Sequence, residues 1–208
     1  MSLSARLSAL APDADPRVID LAVKARECAI SSGDATGQGE RLAVIDYSMP
    51  SSRKRLWVFD LRNPRVLYTE YVAHGQGSGD NYARAFSNRD GSHQTSLGLF
   101  RTAEVYNGNN GYSLRMDGLE PGVNDNARSR AIVMHGAKYV DPSLVPKMGR
   151  IGRSHGCPAV RAEVAREIID TLRGGQFVFS YYPDSRWLQS SRLLACPTRA
   201  GSRVVATR

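Results

Sequence analysis

Residues 131–160, AIVMHGAKYVDPSLVPKMGRIGRSHGCPAV, carry a histidine at position 135. After a loop punctuated by glycine and proline they carry Ser154, His155, Gly156 and Cys157. The apolar run Ala131 to Met134 reads as a short buried strand, which sets His135 at a strand end where a rigid sheet can aim its ring. A thiol is a nucleophile only as thiolate, and a nearby imidazole is a common means of generating one near neutral pH. The glycine ahead of Cys157 lets backbone N–H groups approach a reacting carbonyl, as an oxyanion hole requires. An inert buried thiol and a hydrogen-bonded core histidine are the bland readings of Cys157 and His135. The flanking Ser-His-Gly favours chemistry.

Outward from this stretch, Arg161 to Leu172 predicts a helix with Val164, Ile168 and Leu172 on one face and Gly174-Gly175 as its stop. If Cys157 lies near the start of that helix, its dipole favours the thiolate. Gln176 to Tyr182 reads as a last strand. The tail after Pro183 holds enough apolar residues, Trp187, Leu188, Leu193 and Leu194, for one docked helical turn, and its end from Pro197 is expected to be mobile. Upstream, strands at Ser96–Tyr106 and Tyr112–Met116 flank the turn signal Asn107 to Gly111. Residues Gly75 to Asn81 are too rich in glycine for regular structure. Arg41–Tyr47 predicts a strand, and Arg55–Leu61 with Arg65–Ala73 a hairpin, all rich in β-branched and aromatic residues. Asp13 to Pro16 caps an amphipathic helix running to Gly33, and Asp34 to Glu40 is a loop. The chain is therefore mainly β with a few helices, an antiparallel sandwich or barrel-like core. It divides into an N-terminal helical appendage (1–40), a main domain (41–183) and a C-terminal tail (184–208) packed on it.

The histidine, the variable loop and the Ser-His-Gly-Cys tetrapeptide resemble the signature of the murein L,D-transpeptidase catalytic domain family, the YkuD-like enzymes of bacterial cell walls. Three upstream segments resemble a divergent branch of it: AHGQGSG (73–79), FSNRDGSHQTSLGLF (86–100) and GLEPGVNDNARSR (118–130). The resemblance covers roughly Leu42 to Tyr182. Pro158-Ala159-Val160 departs from the apolar residue and Asn or Arg that follow the cysteine in many members. The resemblance implies a β-sandwich with the cysteine in a groove at one edge. It also implies attack of Cys157 on stem peptides of peptidoglycan, with a thioester passed to an amine, or to water in an L,D-carboxypeptidase. The attacked carbonyl belongs to an L-centre, the third-position diamino acid, and a terminal D-residue leaves. The rival readings are an inactive wall-binding module of the same fold and an intracellular cysteine hydrolase of unrelated fold.

A chain of 208 residues, 41% hydrophobic and 23% charged, suits one soluble globular domain. No apolar run approaches a membrane span, and the N-terminus lacks the apolar core of a secretory signal. Taken alone, that argues for the cytoplasm. The resemblance implies the opposite, a periplasmic or otherwise exported mature form. The net charge of +8 is scattered, with Arg53-Lys54-Arg55 as the one short run. It reads as a solvated surface, or as attraction to an anionic polymer. No nucleic-acid fold signature accompanies it, so no nucleic-acid partner is expected, and wall carboxylates are the better match. Of three cysteines, Cys28 and Cys196 either pair or remain separate buried thiols.

Around Cys157, the resemblance makes His135 the base and the Gly136 carbonyl the group that orients its ring. His155 lines the same site as structural support and oxyanion-side polarity, Ser154 bonds locally, and the N–H groups of Gly156 and Cys157 are the candidate oxyanion donors. Arg150 and Arg153 suit substrate carboxylates, or else are solvated loop charges. Tyr139 and His74 are further candidates for substrate contact, and Asn124 and Arg130 for bracing from behind. Histidines 74 and 93 raise the idea of zinc, but no C-x-x-C, H-x-x-x-H or H-E-x-x-H spacing supports it, and the chemistry needs no metal or cofactor.

Overall fold

The computed structural model describes residues 1–35 and 39–196. The middle of the loop expected at 34–40 and the mobile end expected from Pro197 lie outside the described residues. Two helices open the chain, α1 (Leu3–Leu10) and α2 (Pro16–Ser31). The sequence reading did not predict α1, which has one buried side chain, Leu7, and a Ser2 cap. In α2 the Asp15 carboxylate accepts from the Arg17 N–H and Pro16 fills the first turn. Its Val18, Ile19, Ala22, Ala25 and Ala29 are buried at helical spacing.

Nine strands occur among the described residues: β1 (Arg41–Asp46), β2 (Leu56–Asp60), β3 (Arg65–Glu70), β4 (Val72–Ala73), β5 (Gly98–Gly108), β6 (Gly111–Gly118), β7 (Val133–Ala137), β8 (Ala159–Arg161) and β9 (Phe177–Tyr181). Interspersed with them are α3 (Val145–Met148) and α4 (Ala162–Leu172), and α5 (Ser185–Ser190) and α6 (Arg192–Ala195) close the chain. One sheet holds all the strands, in the order β3-β2-β1-β9-β5-β6-β7-β8-β4. β3 and β4 stand at its opposite ends yet are separated in the chain by Tyr71 alone, so the sheet must curl until its edges meet. The fold is barrel-like. α4 packs against β1, β6, β7 and β8, strands far apart in the order, as a helix seated in the concavity must.

Period-two alternation divides the apolar side chains between the two faces. Leu42, Val44, Trp57, Phe59, Leu99, Phe177 and Phe179 cluster with α2 on one side. Ala43, Ile45, Val58, Phe100 and Val178 cluster with Ile168, Ile169 and Leu172 of α4 on the other.

Several details of the sheet differ from the sequence reading. The strand expected through Ala73 breaks at Tyr71, because its last two residues leave β2 and pair with β8 instead. Glu70 clamps this corner, accepting from Arg161 Nε and Nη2 at 2.8 and 2.6 Å. Two pairs, β1–β9 and β7–β8, are parallel rather than antiparallel. The β5–β6 hairpin runs on through Asn107 and Gly108 and turns on Asn109-Asn110 alone. Finally, β7 begins at Val133 and continues to Ala137, so His135 lies inside a strand and not at its end. The continuation exists because β8 supplies a partner for His135, Gly136 and Ala137, a pairing invisible to local pattern.

The tail is two short helices rather than one docked turn. Buried Glu120 holds them, accepting from Trp187 Nε1 at 3.1 Å and Ser191 Oγ at 2.5 Å. Cys28 and Cys196 form a disulfide across 168 residues, tying α2 to the end of α6, and Cys157 is the free cysteine.

A thiol assay in denaturant will therefore detect one group before reduction and three after it. Because the bridge closes a very long loop, its reduction is expected to cost about 2–4 kcal/mol, roughly 5–15 °C in Tm by calorimetry.

Candidate active site

Parallel register brings the two ends of the signature together. His135 lies opposite Ala159, and the same offset carried two residues back sets Cys157 beside Val133. The Val133 N–H accordingly points at Sγ (3.5 Å), and the thiol faces the carbonyl of Ala131 (3.6 Å). Ala131 adopts a left-handed φ of 52°, the bend that presents both groups to the sulfur. A cleft of about 180 Å³ is lined by His135, Cys157, Ser154, His155, Arg153, Tyr139 and Asn110.

Two loops hold the Cys157 turn. Ser154 bridges to the 74–76 segment, its N–H donating to His74 O (3.0 Å) and its carbonyl accepting from the Gln76 N–H (2.7 Å). Its hydroxyl donates to Cys157 O at 2.6 Å and accepts from the Gly156 N–H at 3.1 Å. Thr95 Oγ1 accepts from the Gly75 N–H (3.0 Å) and donates to Gly156 O (3.4 Å). Gly156 has φ 121°, and a Cβ there would stand 2.9 Å from Gln94 O. Only glycine fits. A Cβ on Gly75 would collide with His93 O and with the Gly156 backbone, which accounts for a glycine in the 73–79 segment.

Nδ1 of His135 lies 3.0 Å from Gly136 O. A carbonyl only accepts, so Nδ1 carries the hydrogen and Nε2 keeps its lone pair. Burial lowers the imidazole pKa, partly opposed by that hydrogen bond. Burial likewise raises the Cys157 thiol, opposed by the Val133 N–H and by the charge of Arg130. Both shifts favour the neutral forms, thiol and imidazole. The helix expected to favour the thiolate starts at Ala162, beyond β8, and a dipole acts within its first turn.

Residues 10–181 match the L,D-transpeptidase catalytic domain family. The chain belongs to that family. No curated protein matches the chain. Among solved structures it is similar to an L,D-transpeptidase from Mycobacterium smegmatis (15% identity, TM-score 0.40, 69% of this chain and 59% of that one). It is also similar to the helical cell shape determining protein Pgp2 from Campylobacter jejuni (13%, 0.43, 74% and 54%). A third is an L,D-transpeptidase from Stackebrandtia nassauensis (13%, 0.41, 86% and 89%). The chain thus spans less than two thirds of the length of the first two. Membership in the L,D-transpeptidase family removes the reading of a hydrolase of unrelated fold. Among the described residues no helix is long and apolar enough to cross a membrane.

Around this L,D-transpeptidase-family cleft the other candidate residues sort unevenly. His155 is exposed and stacks on His93, with ring centroids 4.4 Å apart and planes 9° from parallel. Arg153 lines the cleft but donates to Gly79 O (2.9 Å) and pairs with Asp80 (3.2 Å), as Arg150 does (3.0 Å). Tyr139 lines the cleft with its phenol pushed up to about 12, by burial first and then the neighbouring thiol. Two expectations need correction. His74 is fully buried and does not line the cleft: Nδ1 accepts from Arg55 Nη2 (2.8 Å) and Nε2–H donates to Gly79 O (3.3 Å). Burial, then Arg55, pushes its pKa down to about 4, so it stays neutral beneath the turn. The Gly156 N–H is likewise spent on Ser154 Oγ, whereas the Cys157 N–H has no partner among the described residues.

Sequence reasoning missed Asn110, carried over the cleft by the tip of the β5–β6 hairpin, and the partnership of His93 with His155. Neither has a local signal. Asn124 sits away from the cleft lining, bonding Leu97 O and Leu99 O, while Arg130 spans the 87–96 loop.

The neutral resting pair sets a measurable pH dependence. Alkylation of Cys157 by iodoacetamide, followed by intact mass, should rise in one step with a midpoint above that of an exposed cysteine. A second step at acidic pH, the mark of an ion pair, should be absent. Ser154→Ala, which strands a buried N–H and a carbonyl, should cost about 1–3 kcal/mol in denaturant unfolding.

Proposed function

We infer that this chain is a cysteine acyltransferase of the L,D-transpeptidase type, acting on the stem peptides of peptidoglycan. What carries the reading is one arrangement: an imidazole fixed through Nδ1 to Gly136 O, its Nε2 lone pair free, lining the same cleft as the free thiol Cys157. Because the resting pair is neutral, Nε2 takes the thiol proton as Sγ attacks the carbonyl of the L-centre, as general base. The tetrahedral oxygen accepts a hydrogen bond from the Cys157 N–H. Collapse breaks the C–N bond, and the imidazolium returns its proton to the departing amine of the D-residue. A thioester remains on Cys157. An acceptor amine, deprotonated at Nε2, then attacks that carbonyl, and the sulfur leaves as thiol. Water in place of the amine makes the same site an L,D-carboxypeptidase.

Arg153, Ser154, His155, Tyr139 and Asn110 surround the substrate in this reading. Arg153 is already anchored by Asp80, so it offers a held charge rather than a searching one. The Cys28–Cys196 disulfide supports an oxidising compartment, the periplasm or another exported location.

Digestion of purified tetrapeptide muropeptides tests the reading. Cross-linked dimers identify the transpeptidase, tripeptide with free D-alanine the carboxypeptidase, and an unchanged substrate supports a binding module instead. Cys157→Ala should abolish product, and His135→Ala should lower the rate by about 10²–10⁴-fold. A carbapenem should add its mass to the wild-type protein and not to Cys157→Ala.

A further inference from the structure

Arg130 ends the 118–130 segment and immediately precedes the bend at Ala131 whose carbonyl faces the sulfur. Its backbone is held by the Asn126 carbonyl at 2.9 Å. Its guanidinium crosses to the 87–96 loop, donating to Ser87 O (2.7 Å), Ser96 Oγ (2.6 Å), Ser92 Oγ (3.1 Å) and Gln94 O (2.8 Å). The last of these carbonyls is the one packed against Gly156, the residue before Cys157. All four acceptors are neutral, and none of the ion pairs among the described residues involves Arg130. A half-buried cation fixed by four hydrogen bonds to neutral groups keeps its full charge, and it is tied to Cys157 along two routes, through Gln94 O against Gly156 and through the adjoining Ala131 carbonyl.

We propose that Arg130 is a positioning residue of this site, a fixed and un-neutralised cation against which the Cys157 thiolate forms. The proposal rests on Cys157 being the nucleophile. Cys157 sits in a buried site that penalises its anion, with Tyr47 and Tyr139 beside it as neutral phenols and His135 as a neutral base. Arg153 on the cleft wall is held towards Asp80, a carboxylate it shares with Arg150. The charges of Arg130 and Cys157 act on each other, each stabilising the ionised form of its partner, with Asp90 the one carboxylate whose charge also reaches Arg130. As Sγ loses its proton to His135, the developing negative charge recovers from the Val133 N–H and then from Arg130 part of what burial takes away.

The test is the pH profile of Cys157 alkylation by iodoacetamide in wild type, Arg130→Lys and Arg130→Gln. Arg130→Gln should move the midpoint up by about 0.5–1 pH unit, the low end of the effect of an opposite charge. Alkylation below the midpoint then slows by about 3–10-fold, while the limiting rate at high pH is kept. Arg130→Lys retains the charge and should keep the midpoint. Equal midpoints in all three proteins, or equal shifts in both variants, would show a role in loop architecture alone and overturn the proposal. Should Arg130→Gln not fold, Ser92→Asp neutralises the guanidinium in place and should raise the midpoint relative to Ser92→Asn; no difference between these two also overturns it. Alkylation needs no wall substrate. A shifted midpoint in a protein inert towards muropeptides would sink the acyltransferase reading and leave this one standing.

Discussion

The parallel pairing of β7 with β8 is the constraint on which the site depends. Three residue pairs set an offset that places Cys157 beside Val133 and leaves His135 two residues further along the same strand. A ladder that short has little stability of its own. It persists because neighbours hold it: Ala165 of α4 packs where Gly136 has no side chain, and the Glu70–Arg161 ion pair locks the end of β8 to the corner of β3. The curl of the sheet therefore serves the cleft directly. Without the edge-to-edge closure at Tyr71, β8 would have no second neighbour and the Cys157 turn no fixed height above the sheet.

Electrostatics then follow from burial. A dry site raises the thiol and lowers the imidazole, and a resting ion pair is the casualty. In the proposed reaction, proton transfer then accompanies attack. That places weight on a correctly presented Nε2, which the single bond from Nδ1 to Gly136 O ensures. Beneath the turn, Arg55 is buried without a carboxylate, bonded to Met49 O, Val72 O and the neutral ring of His74. Local order there comes from saturating the guanidinium with neutral acceptors, the same device seen at Arg130.

Legibility was uneven, and the reasons are physical. The helices α2 and α4 could be read because their apolar residues recur at the helical period, as from Val18 to Ala29, and most strands because they are rich in β-branched and aromatic residues. β4 and β8, two and three residues long, carry no period to detect and exist only as partners of other strands. The inward shift of His135 along β7 has the same cause. His74 misled because a histidine in a glycine-rich loop suggests exposure, whereas Arg55 buries it.

The sequence by itself determined the chemistry on offer: one cysteine preceded by a glycine, an upstream histidine, and enough alternating apolar strands to build a β core. Tertiary structure alone decided which groups meet. The Gly156 N–H is consumed by Ser154, Asn110 arrives from a hairpin tip, and Arg130 reaches the 87–96 loop. Such pairings depend on how the chain closes on itself in space, and side-chain pattern along the chain carries no record of that distance.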